Sequence, residues 1–141
     1  MIDLIKYSER IANIISPFLV IIERMQIVPS ITDWCNKNEI DETSPFSPGR
    51  CLRNKETGKY LILLSECVSD DEKQSIIDAI AFRGCNSNDT ALLVDEWLFV
   101  MHLVLHECTH AFNPAFSEFE CDNWAFENMK QEISPPLAGS T

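Results

Sequence analysis

Positive charge is scarce in this chain. Eleven Lys and Arg stand against twenty-two Asp and Glu, a formal net charge of −11. Such a chain repels phosphate backbones and anionic bilayers, which argues against nucleic-acid and membrane partners. A membrane-length apolar run is also missing. The stretch "IANIISPFLVII" (Ile11 to Ile22) holds twelve residues, where a span needs about 20. No Cys-x-x-Cys pair occurs among Cys35, Cys51, Cys67, Cys85, Cys108 and Cys121, so neither a zinc knuckle nor a thioredoxin-like motif is present. The opening "MIDLIKYSER" carries Asp3 and Glu9 and no basic n-region, so no secretory signal is expected. The six cysteines then read as reduced thiols of a cytoplasmic protein rather than as three disulfides. Repeats and low-complexity blocks are lacking as well.

What is there suits one domain. The 141 residues are 45% hydrophobic, enough for one core without disulfides or a structural metal. Residues 3–26 read as a first, mostly apolar helix kinked at Pro17. "PSITDWCNKN" (Pro29 to Asn38) reads as a short second helix capped by Ser30. Asp41 to Arg50 reads as loop, and Cys51 to Cys67 as a hairpin turning at Lys55 to Gly58, with Tyr60 to Leu64 a buried strand. Ser69 and Glu72 form a capping box for a helix that stops at Gly84. Cys85 to Thr90 reads as loop. Ala91 to about Phe112 is apolar on nearly every side, the pattern of a helix buried in the middle of a domain. Asn113-Pro114 ends it. A last helix begins either there, with Asn113 as cap, or at the Ser117/Glu120 box, and runs to about Lys130. The expected organisation is one domain over 1–133 and a loose tail over 134–141.

The chemistry is concentrated in the buried helix. His106-Glu107-Cys108-Thr109-His110 fits H-E-x-x-H. Four helical residues rise ~6 Å and turn ~400°, so both imidazoles share a face and can converge on one zinc ion. Glu107 flanks that face, where a carboxylate can take a proton from a metal-activated water as general base. Burying two histidines and a glutamate without partners costs several kcal/mol, and a metal would satisfy all three. A third ligand is needed. Glu118 and Asp122 in "EFECD" stand at i and i+4. Glu118 is the candidate ligand, and Asp122 the acceptor that steadies a ligand histidine. Glu120 lies ~200° away from Glu118 and cannot share the ion, and Cys108 faces away from it. His102 lies about 12 Å along the helix from His110 and cannot join the same set. Two roles stand open for it, a core histidine or a substrate-side group.

Together His106, Glu107, His110, Glu118 and Asp122 resemble the gluzincin clan of zinc metallopeptidases, in which a glutamate on a later helix completes H-E-x-x-H. "EFECDNWA" (Glu118 to Ala125) is similar to the corresponding helix of ImmA/IrrE-type peptidases and HtpX-type proteases. The resemblance covers about a fifth of the chain. It departs in a short seven-residue spacer, "AFNPAFS", and in Cys108 and Cys121, which replace commoner apolar residues. Cys121 is read as packing. The resemblance implies an α+β fold: a mainly helical single domain of zincin type with a small antiparallel sheet packed against a central zinc-binding helix. It also implies a peptide or protein substrate paired with an edge strand, for which Lys59 to Ser65 is the candidate, and an oxyanion donor, for which Tyr60 or His102 is the candidate. The reading is a soluble zinc peptidase. Its rivals are a gluzincin-like metal-binding or protein-interaction domain with little turnover, and a metal-free scaffold.

Overall fold

The computed structural model describes residues 1–40 and 47–133. Most of the loop expected from Asp41, and the expected tail over 134–141, lie outside them.

The chain begins with a two-residue strand β1 (Ile2–Asp3), a 3-10 turn (Leu4–Tyr7) and helix α1 (Ser8–Ile15). A second 3-10 turn (Ser16–Phe18) contains Pro17 and ends the helical segment. The expected helix over 3–26 therefore stops early, and Ile22–Val28 is strand β2. β-branched residues fill both ends of this segment, Ile21-Ile22 and Ile27-Val28, and their stiff side chains favour an extended chain once a partner strand exists. Helix α2 (Ile31–Lys37) follows with its expected cap, the Ser30 hydroxyl accepting from the Asp33 N–H at 3.1 Å.

Strand β3 (Gly49–Arg53) starts two residues earlier than the sequence suggests. It pairs antiparallel with β4 (Tyr60–Ser65). Their turn is built as expected, with the Asn54 side chain accepting from Glu56 N–H at 2.9 Å and Gly58 at φ +74°. The sheet order is β2-β4-β3, and β2 pairs with β4 in parallel. The sheet is thus mixed, where an antiparallel one was expected. Moreover β4 is its centre and not an edge. The "YLILLS" run explains why: a central strand is covered on both faces. Ile62 and Leu64 enter the main core, while Leu61 and Leu63 enter a second cluster with Ile31 and Cys35 beneath α2. The described edge beside the buried helix is β3.

After β5 (Cys67–Val68), which pairs with β1, the Ser69/Glu72 capping box opens helix α3 (Asp70–Phe82) as expected. Gly84, at φ +105°, supplies the left-handed backbone just past its end. The expected loop over 85–90 is instead largely helix α4 (Ser87–Leu92), capped by Asn86. The long buried helix α5 (Glu96–Phe112) accordingly starts at its own Asp95 cap, not at Ala91. Every residue from Phe99 to Thr109 on α5 is buried. At its end Asn113 leaves helical geometry (φ −134°, ψ 67°) because the following Pro114 crowds the α region. Helix α6 (Glu118–Ile133) then starts at the Ser117/Glu120 box, whose two reciprocal bonds measure 3.0 and 3.2 Å. Asn113 is therefore the stop of α5 and not the cap of α6. The short spacer folds α6 back against α5.

Candidate metal centre

Helical spacing and the corner after α5 bring three donors together. His106 Nε2 and His110 Nε2 lie 3.2 Å apart. Glu118, in the first turn of α6, sets Oε2 at 2.9 Å from His106 Nε2 and Oε1 at 3.2 Å from His110 Nε2. Donors around a tetrahedral ion with bonds of about 2.0–2.1 Å stand about 3.3 Å from one another. The observed spacings need only a slight widening to admit one.

The bonding around His106 makes the same point independently. His106 Nδ1 lies 2.7 Å from Asp122 Oδ1. An ionised carboxylate only accepts, so the proton of that bond is on Nδ1. Nε2 of the neutral ring is then a lone pair aimed at a carboxylate oxygen and at a second imidazole nitrogen. Such an arrangement is repulsive unless a cation or a proton sits between them. Without a metal it is a proton. Burial alone would depress the basicity of His106, but the bonds to Asp122 and Glu118 and the nearby Glu107 outweigh it and hold the ring's pKa at about 10. Bonds from His106 and His110 in turn hold the half-exposed Glu118 carboxyl well below the usual carboxylate range.

Asp122 is fully buried and saturated with donors. Oδ1 accepts from His106 Nδ1–H and, at 3.0 Å, from His102 Nε2–H. Oδ2 accepts from Arg83 Nε at 3.0 Å and Nη2 at 2.7 Å. Burial pushes this carboxyl up, but the donated bonds from His102, His106 and Arg83 win and hold it far below its ordinary range. His102, packed on the Phe126 ring at 4.4 Å, is kept neutral by burial, and its Nδ1 has no hydrogen-bond partner among the described residues. His102, His106 and Asp122 also lie close enough to form a ligand set of their own. That set is wholly buried, both rings are already bonded to Oδ1, and the Arg83 guanidinium occupies Oδ2. It suits a brace better than an open metal position.

Glu107 is buried, and burial raises its carboxyl pKa against the pull of His106 and His110. It packs beneath β3 at Gly49. A Cβ there would come within 3.1 Å of Glu107 Cγ and of Leu103 Cδ1, so any larger residue would crowd the Glu107 side chain. Glu107, His110 and Glu118 line one cleft together with Tyr60, Arg50 and Arg53. A second, mainly apolar hollow, walled by Ile76, Ala79, Ile80, Phe99 and Leu103, meets His106 and Glu118 from the α3 side.

The structure thus gathers the expected residues Glu107, His106, His110, Glu118 and Asp122, and sets Tyr60 in the same cleft. His102 stands behind Asp122. The expected edge strand, Lys59 to Ser65, is not at the edge; β3 takes that position. Cys121 is buried with Sγ 3.9 Å from His110 Nδ1, its thiol pushed up to about 12 by burial and the surrounding acids. Cys108 is buried on the far side of the helix from the three donors, and no disulfide joins any of the six cysteines. Two contributors escaped sequence reasoning. Arg83 carries no local signal of its role, because its partner is 39 positions away. Gly49 sat in a Pro- and Ser-rich stretch where a glycine suggests only a turn. No helix among the described residues is long and apolar enough to cross a membrane.

Compared with known protein families, with curated proteins and with solved structures, the chain matches none. What the fold and the site define is therefore a type of centre: two helix-borne imidazoles and one carboxylate at the wall of a cleft, with a buried acid beside them.

Proposed function

We propose that this protein is a zinc-dependent metallopeptidase of gluzincin type. The observation that carries the proposal is the convergence of His106 Nε2, His110 Nε2 and the Glu118 carboxylate to within 2.9–3.2 Å, with Glu107 alongside. Zinc held there would supply a Lewis acid that acidifies water and polarises a peptide carbonyl. Glu107 takes the proton of the attacking water and hands it to the leaving amine. Its raised proton affinity suits that exchange. Asp122, fixed by Arg83 and His102, holds His106 Nδ1–H and so aims Nε2 into the centre. Tyr60 is the candidate donor to the developing oxyanion. An extended substrate would add to the edge of β3, backbone to backbone. Six cysteines outside any disulfide suit a cytoplasmic setting.

The burial of Glu107 beneath Gly49 favours one second reading, a metal-binding or protein-interaction domain with little turnover. One pair of measurements separates the two. Zinc is quantified by mass spectrometry in purified wild type and Glu107→Gln, and cleavage of a mixed peptide library is followed by the same method. The peptidase reading expects about one zinc in both proteins and a rate lower by 10²–10⁴ in the variant. Zinc in both with cleavage in neither establishes the non-catalytic reading. Less than about a tenth of an equivalent of zinc, not regained on dialysis against zinc, rules out both.

A further inference from the structure

The scarce positive charge of this chain is not spread evenly. Arg50, Arg53, Lys55 and Lys59 fall within ten residues that hold one acid, Glu56. These residues are the β3–β4 hairpin. Elsewhere the cations are mostly engaged: Lys6 with Glu96, Arg10 over the Trp97 ring, Lys73 with the Val94 carbonyl, Arg83 with Asp122 and Lys130 with Asp89. Arg53, Lys55 and Lys59 are exposed and form no ion pair with the described residues.

The hairpin is also one wall of the cleft. Arg53 stands directly across from Tyr60 in the strand register, so the two side chains share a face. Gly49, two pleats away on that face, touches Glu107. Arg50 and Arg53 line the cleft with His110 and Glu118. The acids of the cleft, Glu107 and Glu118, belong to the candidate metal centre, which leaves the strand side as its positive pole.

From this placement we infer that the cleft selects acidic peptides, with an Asp or Glu side chain of the substrate paired to Arg53 beside the bond that is cut, and the hairpin lysines extending the attraction. The inference rests on the peptidase reading for the cut, and on the geometry of the hairpin for the selection. In a chain this acidic, a local cationic wall steers the approach of an acidic segment to one place and repels it elsewhere.

The test uses zinc-loaded full-length protein and three matched sets of decapeptides whose central flank carries Glu, Gln or Lys. Cleavage is read as kcat and KM. The expected order of kcat/KM is Glu, then Gln, then Lys, with about three- to tenfold between steps, carried by KM and shrinking at high salt. Arg53→Glu should invert the order, and Lys55→Glu with Lys59→Glu should flatten it, both at wild-type thermal stability. An order without charge preference, or one that Arg53→Glu leaves unchanged, overturns the inference. If the wild type cuts no peptide, the peptidase reading fails and binding decides the selection separately. Fluorescence anisotropy of the same peptides and of a single-stranded oligonucleotide is then measured on zinc-loaded Glu107→Gln. Tighter binding of the Glu set, lost in a protein that also carries Arg53→Glu, upholds it. Equal binding of the three sets, or tighter binding of the oligonucleotide, overturns it.

Discussion

Asp122→Asn isolates the brace behind the metal centre. The amide oxygen can keep the place of Oδ1 and accept from both His106 and His102. The amide nitrogen then replaces Oδ2 and meets the Arg83 guanidinium donor to donor. Two charge-assisted bonds, now 2.7 and 3.0 Å long, are lost. Such bonds contribute about 1.5–3 kcal/mol each. The Arg83 side chain is 30% exposed and recovers part of its solvation from water, so a total near 2–3 kcal/mol is expected. For a domain of this size that lowers Tm by about 8–12 °C. The second effect is on the ion. A neutral amide holds His106 Nδ1–H less firmly and makes Nε2 a poorer donor, so zinc affinity should fall about 10–100-fold. At fixed free zinc the stabilisation conferred by the metal then shrinks by about 1.4–2.7 kcal/mol. Thermal melts with chelator and with zinc, together with a competition titration against a zinc-binding dye, measure both effects. A variant that melts within about 2 °C of wild type and binds zinc equally well would refute the reasoning, because Asp122 would then be holding neither Arg83 nor His106. A cycle with Arg83→Met sharpens the result. If Arg83 acts through Asp122, the two losses should fall short of additivity by at least about 1 kcal/mol.

Three further predictions concern the same wall and the same protons. In Gly49→Ala the added methyl meets Glu107 and Leu103 at 3.1 Å; overpacking of about 1 kcal/mol is offset by a similar gain from a stiffer unfolded chain, so Tm moves little, while displacement of Glu107 lowers kcat by about tenfold or more. An unchanged kcat would show that Glu107 tolerates movement and is not held as a general base. The metal-free protein should be weakest at both ends of the pH range. The depressed carboxyls of Asp122 and Glu118 contribute stability above pH ~4 that disappears as pH falls further. His106 contributes stability below pH ~6.5 that is lost as pH rises towards about 10. Zinc displaces the His106 proton, so its apparent affinity should climb with pH and about one proton should leave per ion, which calorimetric titrations in buffers of different ionisation enthalpy will count. Affinity flat from pH 6 to 9 would place the ion elsewhere.

How far the sequence could be read depended on the range of each interaction. The capping box at Ser69/Glu72 and the Ser30 cap were legible because all their partners lie within three residues. The pairing of His106 with His110 was legible because one turn of helix fixes it. Glu118 and Asp122 were legible as a pair for the same reason, though not their distance from the histidines, which depends on how the corner at Asn113-Pro114 turns. Strand β2 was misread because its apolar residues suit a helix equally well until β4 lies beside it.

The sequence by itself determined the donors: two imidazoles on one helical face, a flanking acid, and a carboxylate pair on the next helix, since local periodicity places each within its own element. Only the tertiary structure decided what surrounds them. It put β4 in the centre and β3 at the described edge, because strand order follows from which apolar faces can be covered and not from the pattern along a strand. It brought Arg83 across 39 residues to anchor Asp122, turned His102 into a second donor to that carboxylate, and pressed Gly49 onto Glu107. Those contacts arise between elements, where spacing along the chain carries no information, and they separate a helix that bears histidines from a centre that can hold an ion.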